Sequence, residues 1–430
     1  MRILSNKVII ISFLVLIICN YESKAQFEVN AQYRSRPEFR DGYQKLAFEG
    51  STPAFLISQR ARLTFVYENE LLKLKFTPQD VRIWGDEQLV SSTGVYGDYA
   101  SLDLLEGFVE IKPYKNVLIS VGRQQLIYDN ERLLAARNWN QNGLAYDAVV
   151  MKFRIKNWNL DLGSSWNTMS DALSDNIYPA TRIKSLNFIW LNRKIKENLL
   201  FSLMNIASGV TETDTTNKLN FRYTTGLYAN YKWDNLKIWG DFYYQTGRSQ
   251  AGNRVCAVLF DLDAGYKINN VIAGTGMSYL SGNKKTGADM TADHLFDILY
   301  GARHKYFGFM DYFRNFPSNT RQGGLTDYYC YLDFRFFKKI SILNTAHYFR
   351  LAKTNSTTPH NNNLGYENDL IVKYGFSEWG SLESGYMFFL PTNSLKSVQN
   401  VQNNKFSQFF YLQLTVKQTL FKYLNPEPKL

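Results

Sequence analysis

The five residues LKLKF (Leu72–Phe76) put Leu72, Leu74 and Phe76 on one face of an extended segment and Lys73 and Lys75 on the other. Side chains alternate sides along a strand, so this is half-apolar sheet and not helix. The pattern recurs. Met151, Phe153 and Ile155 alternate with Lys152, Arg154 and Lys156, and Leu227, Ala229, Tyr231 and Trp233 with Tyr228, Asn230 and Lys232. Near the end, Phe410, Leu412, Leu414 and Val416 alternate with Tyr411, Gln413, Thr415 and Lys417.

What separates these segments also alternates. Tyr67–Glu70, Pro113–Asn116, Lys156–Asn157, Lys232–Asn235 and Lys267–Asn270 are tight polar turns, whereas 85–101, 129–144, 168–182, 208–218, 281–324 and 352–363 are long. Short turns at one end and long loops at the other describe an up-and-down antiparallel barrel in an outer membrane. The spacing predicts strands over 28–40, 54–67, 71–84, 102–112, 117–128, 145–156, 158–167, 184–195, 199–207, 219–233, 236–247, 255–267, 271–280, 325–337, 340–351, 364–375, 380–390 and 406–421. That is eighteen, an even number, with both chain ends in the periplasm. A soluble sandwich also alternates, but its dry core would have to pair every charge. Aromatics near strand ends (Trp190, Trp233, Phe421) read as a membrane girdle.

Residues 1–25 read as a signal peptide: Arg2 and Lys7, an apolar run from Val8 to Cys19, then Ser23-Lys24-Ala25 as the cleavage site. Twelve residues, broken only by Ser12, are too few for a membrane helix, which needs about 20. The mature chain then starts at Gln26, the barrel spans 26–421, and residues 422–430 form a short periplasmic tail. Only Cys256 and Cys330 remain, which is no disulfide framework. The formal charge of +11 on an exported chain favours anionic solutes, polysaccharide and lipid head groups over nucleic acid.

A second stretch, GRQQLIYDNERLLAARNWNQNG (122–143) followed by Tyr146-Asp147-Ala148, resembles the alginate export family of outer-membrane porins. Gln59–Arg62, Gln79–Arg82 before Trp84-Gly85, LYGARHKYFGFMDYF (299–313) and Gly365–Asp369 resemble it too. The resemblance implies an eighteen-stranded barrel with an electropositive lumen that passes anionic polysaccharide, without enzymatic activity or cofactor. It implies lipopolysaccharide and outer-membrane lipid as surroundings, and periplasmic export proteins as partners. The chain departs from the family at Leu144, where Arg usually follows the glycine. It also lacks a terminal aromatic residue, a role Phe421 would fill. An uptake porin for small anionic or carbohydrate nutrients is the alternative that the same wall would serve.

Alternation assigns the lumen independently. If Ala61, Leu63 and Phe65 face lipid, Arg60 and Arg62 face inward, as do Lys73, Lys75, Lys152, Arg154, Arg222, Lys232, Lys237 and Lys373. Glu106, Glu110, Asp241, Glu367 and Asp369 join them, so bases outnumber acids twofold. A lipid-facing Arg or Lys at mid-membrane costs about 2–4 kcal/mol, which supports the inward reading. Such charge either braces the wall in pairs or selects anions; Arg60 and Arg62 are the leading pore candidates. Arg82 is placed at the pore by its motif. Arg123 follows the outward parity of Val117, Ile119 and Val121 unless Gly122 hosts a bulge; both readings stand. Arg132 and Arg137 line the mouth, bind lipopolysaccharide phosphates, or pair with Asp129 and Glu131. In the long segment 281–324, Arg303, His304 and Lys305 sit among Tyr300, Tyr306, Phe307 and Phe309, which suits sugar stacking or a self-packed loop.

HExxH, GxSxG, CxxC and GxGxxG do not occur, and His294, His304, His347 and His360 are dispersed. No catalytic or metal site is therefore expected.

Overall fold

The structure, a computed structural model, describes residues 25–424 except 86–88, 91–95, 98–101, 172, 175–177, 285–291, 316–317, 338, 356 and 359–360. The signal-peptide reading of residues 1–24, His360 and residues 425–430 of the tail lie outside it.

Eighteen antiparallel strands form one sheet: β1 Gln26–Asp41, β2 Ala54–Glu68, β3 Leu72–Ile83, β4 Leu102–Tyr114, β5 Val117–Gln124, β6 Tyr146–Ile155, β7 Trp158–Trp166, β8 Ser185–Ile195, β9 Leu199–Thr211, β10 Leu219–Trp233, β11 Leu236–Gly247, β12 Ala257–Ile268, β13 Val271–Leu280, β14 Leu325–Phe336, β15 Ile340–Arg350, β16 Asn363–Ser377, β17 Gly380–Pro391 and β18 Ser407–Leu424. Each pairs with its sequence neighbours. Strand β1 pairs with both β2 and β18, from Gln26↔Leu424 to Asp41↔Gln408, so the sheet closes. Closure removes sheet edges, a condition for a sheet to stand in lipid. A helix of about two turns, α1 (Asn393–Gln399), caps the long-loop end between β17 and β18. No helix of the described residues is long and apolar enough to cross a membrane.

The short turns owe their tightness to residues that tolerate a left-handed backbone. Lys156, Asp234 and Asn269 take φ of 53°, 51° and 53°, as two-residue hairpins with matching twist require. Asn69 closes its turn by accepting the Leu71 and Leu72 amides at 2.9 and 2.8 Å.

Alternation holds along the wall. Leu63, Leu74, Phe76, Ile189, Leu203, Leu227, Leu262 and Leu332 are exposed on the outside, while Arg60, Thr77, Ser120, Asp161, Asp241 and Asp261 are buried inside. Trp233 and Phe421 are exposed near the short-turn end, as a girdle requires. Trp190 is a correction. It turns inward, stacks near Tyr128 at 5.0 Å, and donates its indole N–H to Asp129 at 3.1 Å.

The hydrophobic core is the less expected feature, because it lies within the barrel. Inward residues of the wall (Val150, Phe188, Ile206, Leu259, Phe349, Phe389, Phe409) pack against Leu126, Leu133, Leu134, Phe296, Leu299, Phe307, Met310 and Phe313 of two loops that fold into the lumen. A lumen filled this way loses water from part of its section and leaves narrower channels elsewhere.

Candidate functional site

The two inward loops are 125–145, between β5 and β6, and 281–324, between β13 and β14. They carry the two longest family-like motifs, and they pair with each other. Leu134 and Tyr300 form a parallel bridge. The Tyr300 amide donates to the Leu133 carbonyl at 3.1 Å and the Ala302 amide to Glu131 at 2.9 Å.

Charge fastens the first loop to the wall. Arg132 reaches Asp261 of β12 at 2.6 Å, with both side chains at or below 2% exposure, and Tyr306 and Phe307 lie against its guanidinium at 4.2 and 4.6 Å. Asn130 donates to Asp241 of β11 at 2.6 Å. Asp129 accepts from Ser202 at 2.6 Å; burial nonetheless raises its carboxyl pKa, against the pull of the Ser202 and Trp190 hydrogen bonds. A buried pair of this kind costs desolvation to form but about 3–5 kcal/mol to break on one side.

Acceptors on the opposite wall hold the second loop. The Phe309 amide donates to Asp369 at 3.1 Å and the Met310 amide to Glu367 at 2.7 Å. His347 bridges the group through Asp327 at 3.0 Å. Gly308, at φ 76°, lies so close to Glu367 that a Cβ there would stand 2.4 Å from its carboxylate; only glycine fits. His304 contacts Asp311 at 2.8 Å, and Tyr43 donates to the same carboxylate at 2.5 Å. Burial alone would raise the Asp311 carboxyl, yet His304, Tyr43 and Arg314 together hold it below its ordinary value.

That depression has a sign. A carboxylate whose folded pKa is lowered contributes stability above its unfolded value, and the contribution fades as pH falls through the folded one. Loop 303–314 is thus expected to stay seated at neutral pH and to loosen below about pH 4. Tryptic cleavage at Arg303 and Lys305 as a function of pH-jump history, with Asp311→Asn as the comparison, reads this; loosening that began on the alkaline side instead would contradict it.

Several cavities remain beside the loops, two of them rich in arginine. One of 530 Å³ runs from Asn138, Trp139 and His304 to the short-turn residues Glu378–Gly380, and is lined by Arg34, Arg60, Arg137, Arg303, Lys305, Arg314, Lys373 and Lys417 against Glu131, Glu378 and Glu383. The other, of 820 Å³, lies at the long-loop end with Arg123, Arg137, Arg182, Arg222, Arg248 and Arg303 against Asp147 and Asp297. They share two residues, Arg137 and Arg303. Arg137 donates to the Leu299 and Gly301 carbonyls at 3.0 and 3.1 Å. Burial, with Arg303 and Arg314 nearby, lowers its pKa to about 10, so it stays charged at neutral pH.

The structure sorts the expected residues. Arg60 and Arg62 face inward. Lys75 pairs with Glu106 at 2.5 Å, Lys152 with Glu110 at 2.7 Å, Lys73 with Glu68 at 3.5 Å and Lys373 with Glu383 at 3.9 Å; these brace the wall. Arg154 pairs with Asp161. Arg222 reaches Asp293 at 3.6 Å and tethers the Leu295 carbonyl at 3.2 Å. Lys232 and Lys237 stand directly opposite each other near the short-turn end.

Of the remaining placements, only that of Arg132 is a correction. Arg82 shares the parity of Gln59 and Ala61, because Arg62 and Gln79 take the inner one; it pairs with Asp80 at 2.5 Å and lines a cavity beside the long-loop end of β1–β3. No register break occurs at Gly122, so of the two readings Arg123 takes the outward parity; at the rim it meets Asp147 at 3.1 Å and still lines the long-loop cavity. Arg132 is buried and lines no mouth; its partner is Asp261 rather than Asp129 or Glu131. Asp241, Glu367 and Asp369 do point inward, but they are covered by the loops they hold. The aromatics beside Arg303, His304 and Lys305 pack on their own loop and its neighbour: His304 stacks on Trp139 at 3.7 Å and Tyr306 donates to the Asn130 carbonyl. Lys305 lies 3.9 Å from Glu131.

Sequence reading passed over Arg34 and Arg36. Both obey the alternation used elsewhere, on a strand that carries Glu38 and Arg40 on the same face, and both are about 4% exposed. Cys256 and Cys330 are free thiols. Among the described residues no cluster of His, Cys, Asp or Glu is arranged to hold a metal ion.

A closed eighteen-strand barrel with an apolar outside and a charged, loop-narrowed inside is the build of a porin-like outer-membrane protein. The alginate export family matches residues 25–369, and the chain belongs to it. Among curated proteins there is no significant match. Solved structures share the fold at low identity. OccAB1 of Acinetobacter baumannii is similar at 14% identity and TM-score 0.62, covering 92% of this chain and 97% of that one. OccK9 (OpdG) of Pseudomonas aeruginosa gives 12%, 0.61, 92% and 98%. The outer membrane protein OpdK of the same organism gives 9%, 0.58, 93% and 99%.

Proposed function

We propose that the barrel passes anionic solutes without an energy source of its own, uronic-acid saccharides among them, between the long-loop cavity and the one that reaches the short-turn end. The observation that carries this is that two guanidiniums, Arg137 and Arg303, both on inward loops, line both cavities and mark the proposed neck between them. Fixed guanidinium groups beside such a passage attract anions and repel cations. The bases spread along both cavities offer many weak sites in place of one tight one, which is what a chain of carboxylates needs in order to keep moving. No catalytic step enters this reading.

Reversal potentials in a salt gradient across a planar bilayer test it. Anion preference is expected, shrinking as salt rises because the screening length falls from about 10 Å at 0.1 M to about 3 Å at 1 M. Arg60→Ala with Arg62→Ala is expected to lower the preference only partly, since both guanidiniums are engaged with loop 125–145. Cation preference in the unaltered protein would overturn the reading. The direction of passage is a separate assay: loss of the gene either reduces secreted uronate polymer or impairs uptake of small carboxylates, and the second result alone would favour the uptake alternative.

A further inference from the structure

The tip of the first loop, Asn138-Trp139-Asn140-Gln141-Asn142, carries no charge, yet it sits on four arginines of β1 and β2. Arg34 donates to the carbonyls of Asn138, Trp139 and Asn140 at 2.7, 3.1 and 3.2 Å and to the Gln141 side chain at 2.7 Å. Arg36 donates to the Trp139 carbonyl at 2.9 Å. Arg60 binds the Gln141 carbonyl at 3.4 Å and the Asn138 side-chain oxygen at 2.9 Å. Arg62 binds the Gln141 and Asn142 carbonyls at 3.0 and 3.2 Å. A row of neutral oxygens thus occupies a row of guanidiniums.

Only Arg36 of the four has a carboxylate partner among the described residues, Glu38 at 2.7 Å. The loop's oxygens meet most of the guanidinium N–H groups but carry no charge, and the buried Nε of Arg60 is left without a hydrogen-bond partner. Guanidinium–carboxylate hydrogen bonds are roughly twice as strong as neutral ones and geometrically matched to a two-oxygen fork. A solute with regularly spaced carboxylates therefore binds these arginines better than the tip does.

The tip is set off from the rest of its loop. It is bounded by Arg137 at φ 47° and Gly143 at φ 71°. The buried fastening at Arg132 and the core residues Leu133 and Leu134 lie before that boundary, outside the tip. The tip stands between the 530 Å³ cavity, lined by Asn138, Trp139 and Asn140, and a 510 Å³ cavity lined by Trp139 to Gly143 that faces the long-loop end of β1–β3.

We propose that Arg34, Arg36, Arg60 and Arg62 form an oligocarboxylate-binding site which residues 138–142 occupy as a neutral stand-in, and that an anionic oligomer displaces the tip and joins the two cavities. This rests on the anion-passing reading above and adds to it a gate opened by its own solute.

The test uses the full-length barrel with Asn140→Cys in a Cys256→Ser, Cys330→Ser background, labelled by a water-soluble maleimide. Hexagalacturonate is the probe and neutral maltohexaose the control. Labelling is expected to be slow alone, roughly tenfold faster with hexagalacturonate, and unchanged by maltohexaose. Adding Trp139→Ala, which removes the stacking of Trp139 between Arg36 at 3.7 Å and His304, is expected to give fast labelling without probe. Labelling that hexagalacturonate leaves unchanged or slows overturns the displacement. Reversal potentials on the same protein report anion selectivity independently, so a fixed tip in an anion-selective pore refutes the gate and spares the function.

Discussion

Replacing Arg132 with methionine is expected to release loop 125–145 from the wall while leaving the barrel closed. The side chain is buried beside Asp261 and under two aromatic rings. Its removal strands a carboxylate in a dry place, and breaking such a pair from one side costs about 3–5 kcal/mol. The strands keep their hydrogen bonds throughout, so the barrel should still migrate as a folded species in unheated detergent gels. Hydrogen exchange over residues 126–137 should rise sharply, and the current through single channels should become larger and noisier. Asp261→Asn added to Arg132→Met removes the stranded charge and should recover part of the protection. If Arg132→Met alone leaves exchange and current as they were, the pair does not hold the loop.

The strand plan was legible because it rests on a period of two. Leu72–Phe76 and Met151–Lys156 declare their faces without reference to any neighbour, and turns such as Lys156-Asn157 declare their tightness. Loops obey no such rule. Nothing in the spacing of Arg132 says that it ends on Asp261, 129 positions away, because that contact is made only once the barrel has closed. The same limit explains Glu367 and Asp369. Parity turned them inward correctly, and no periodicity reveals that Phe309 and Met310 arrive to cover them. Trp190 failed for the opposite reason: an indole near a strand end resembles a girdle residue whichever face it takes, and only Ile189 on the outside settles its side. Arg34 and Arg36 were within reach, since they alternate with Tyr33 and Ser35 as plainly as any pair in the chain.

The neck offers the second large effect. Arg137 and Arg303 stand on different loops and line both cavities, so removing both takes two unit charges from the proposed passage. A unit charge about 5 Å from a small anion in water is worth about 0.8 kcal/mol. Two together make about 1.6 kcal/mol, which corresponds to roughly a tenfold change in anion occupancy at low salt. Arg137→Gln with Arg303→Gln is therefore expected to cut the anion-to-cation permeability ratio about tenfold in dilute electrolyte and far less in concentrated electrolyte, where the screening length is only about 3 Å. The wall arginines should matter less, because Arg60 and Arg62 are spent on loop carbonyls while the tip is seated. Because Arg137 carries its charge well above neutral pH, the selectivity of the unaltered pore should hold steady from mildly acidic to mildly alkaline solution. Reversal potentials measured for both variants across a salt series decide the matter. A double substitution at the neck that changes selectivity no more than Arg60→Ala with Arg62→Ala would place the filter elsewhere along the lumen.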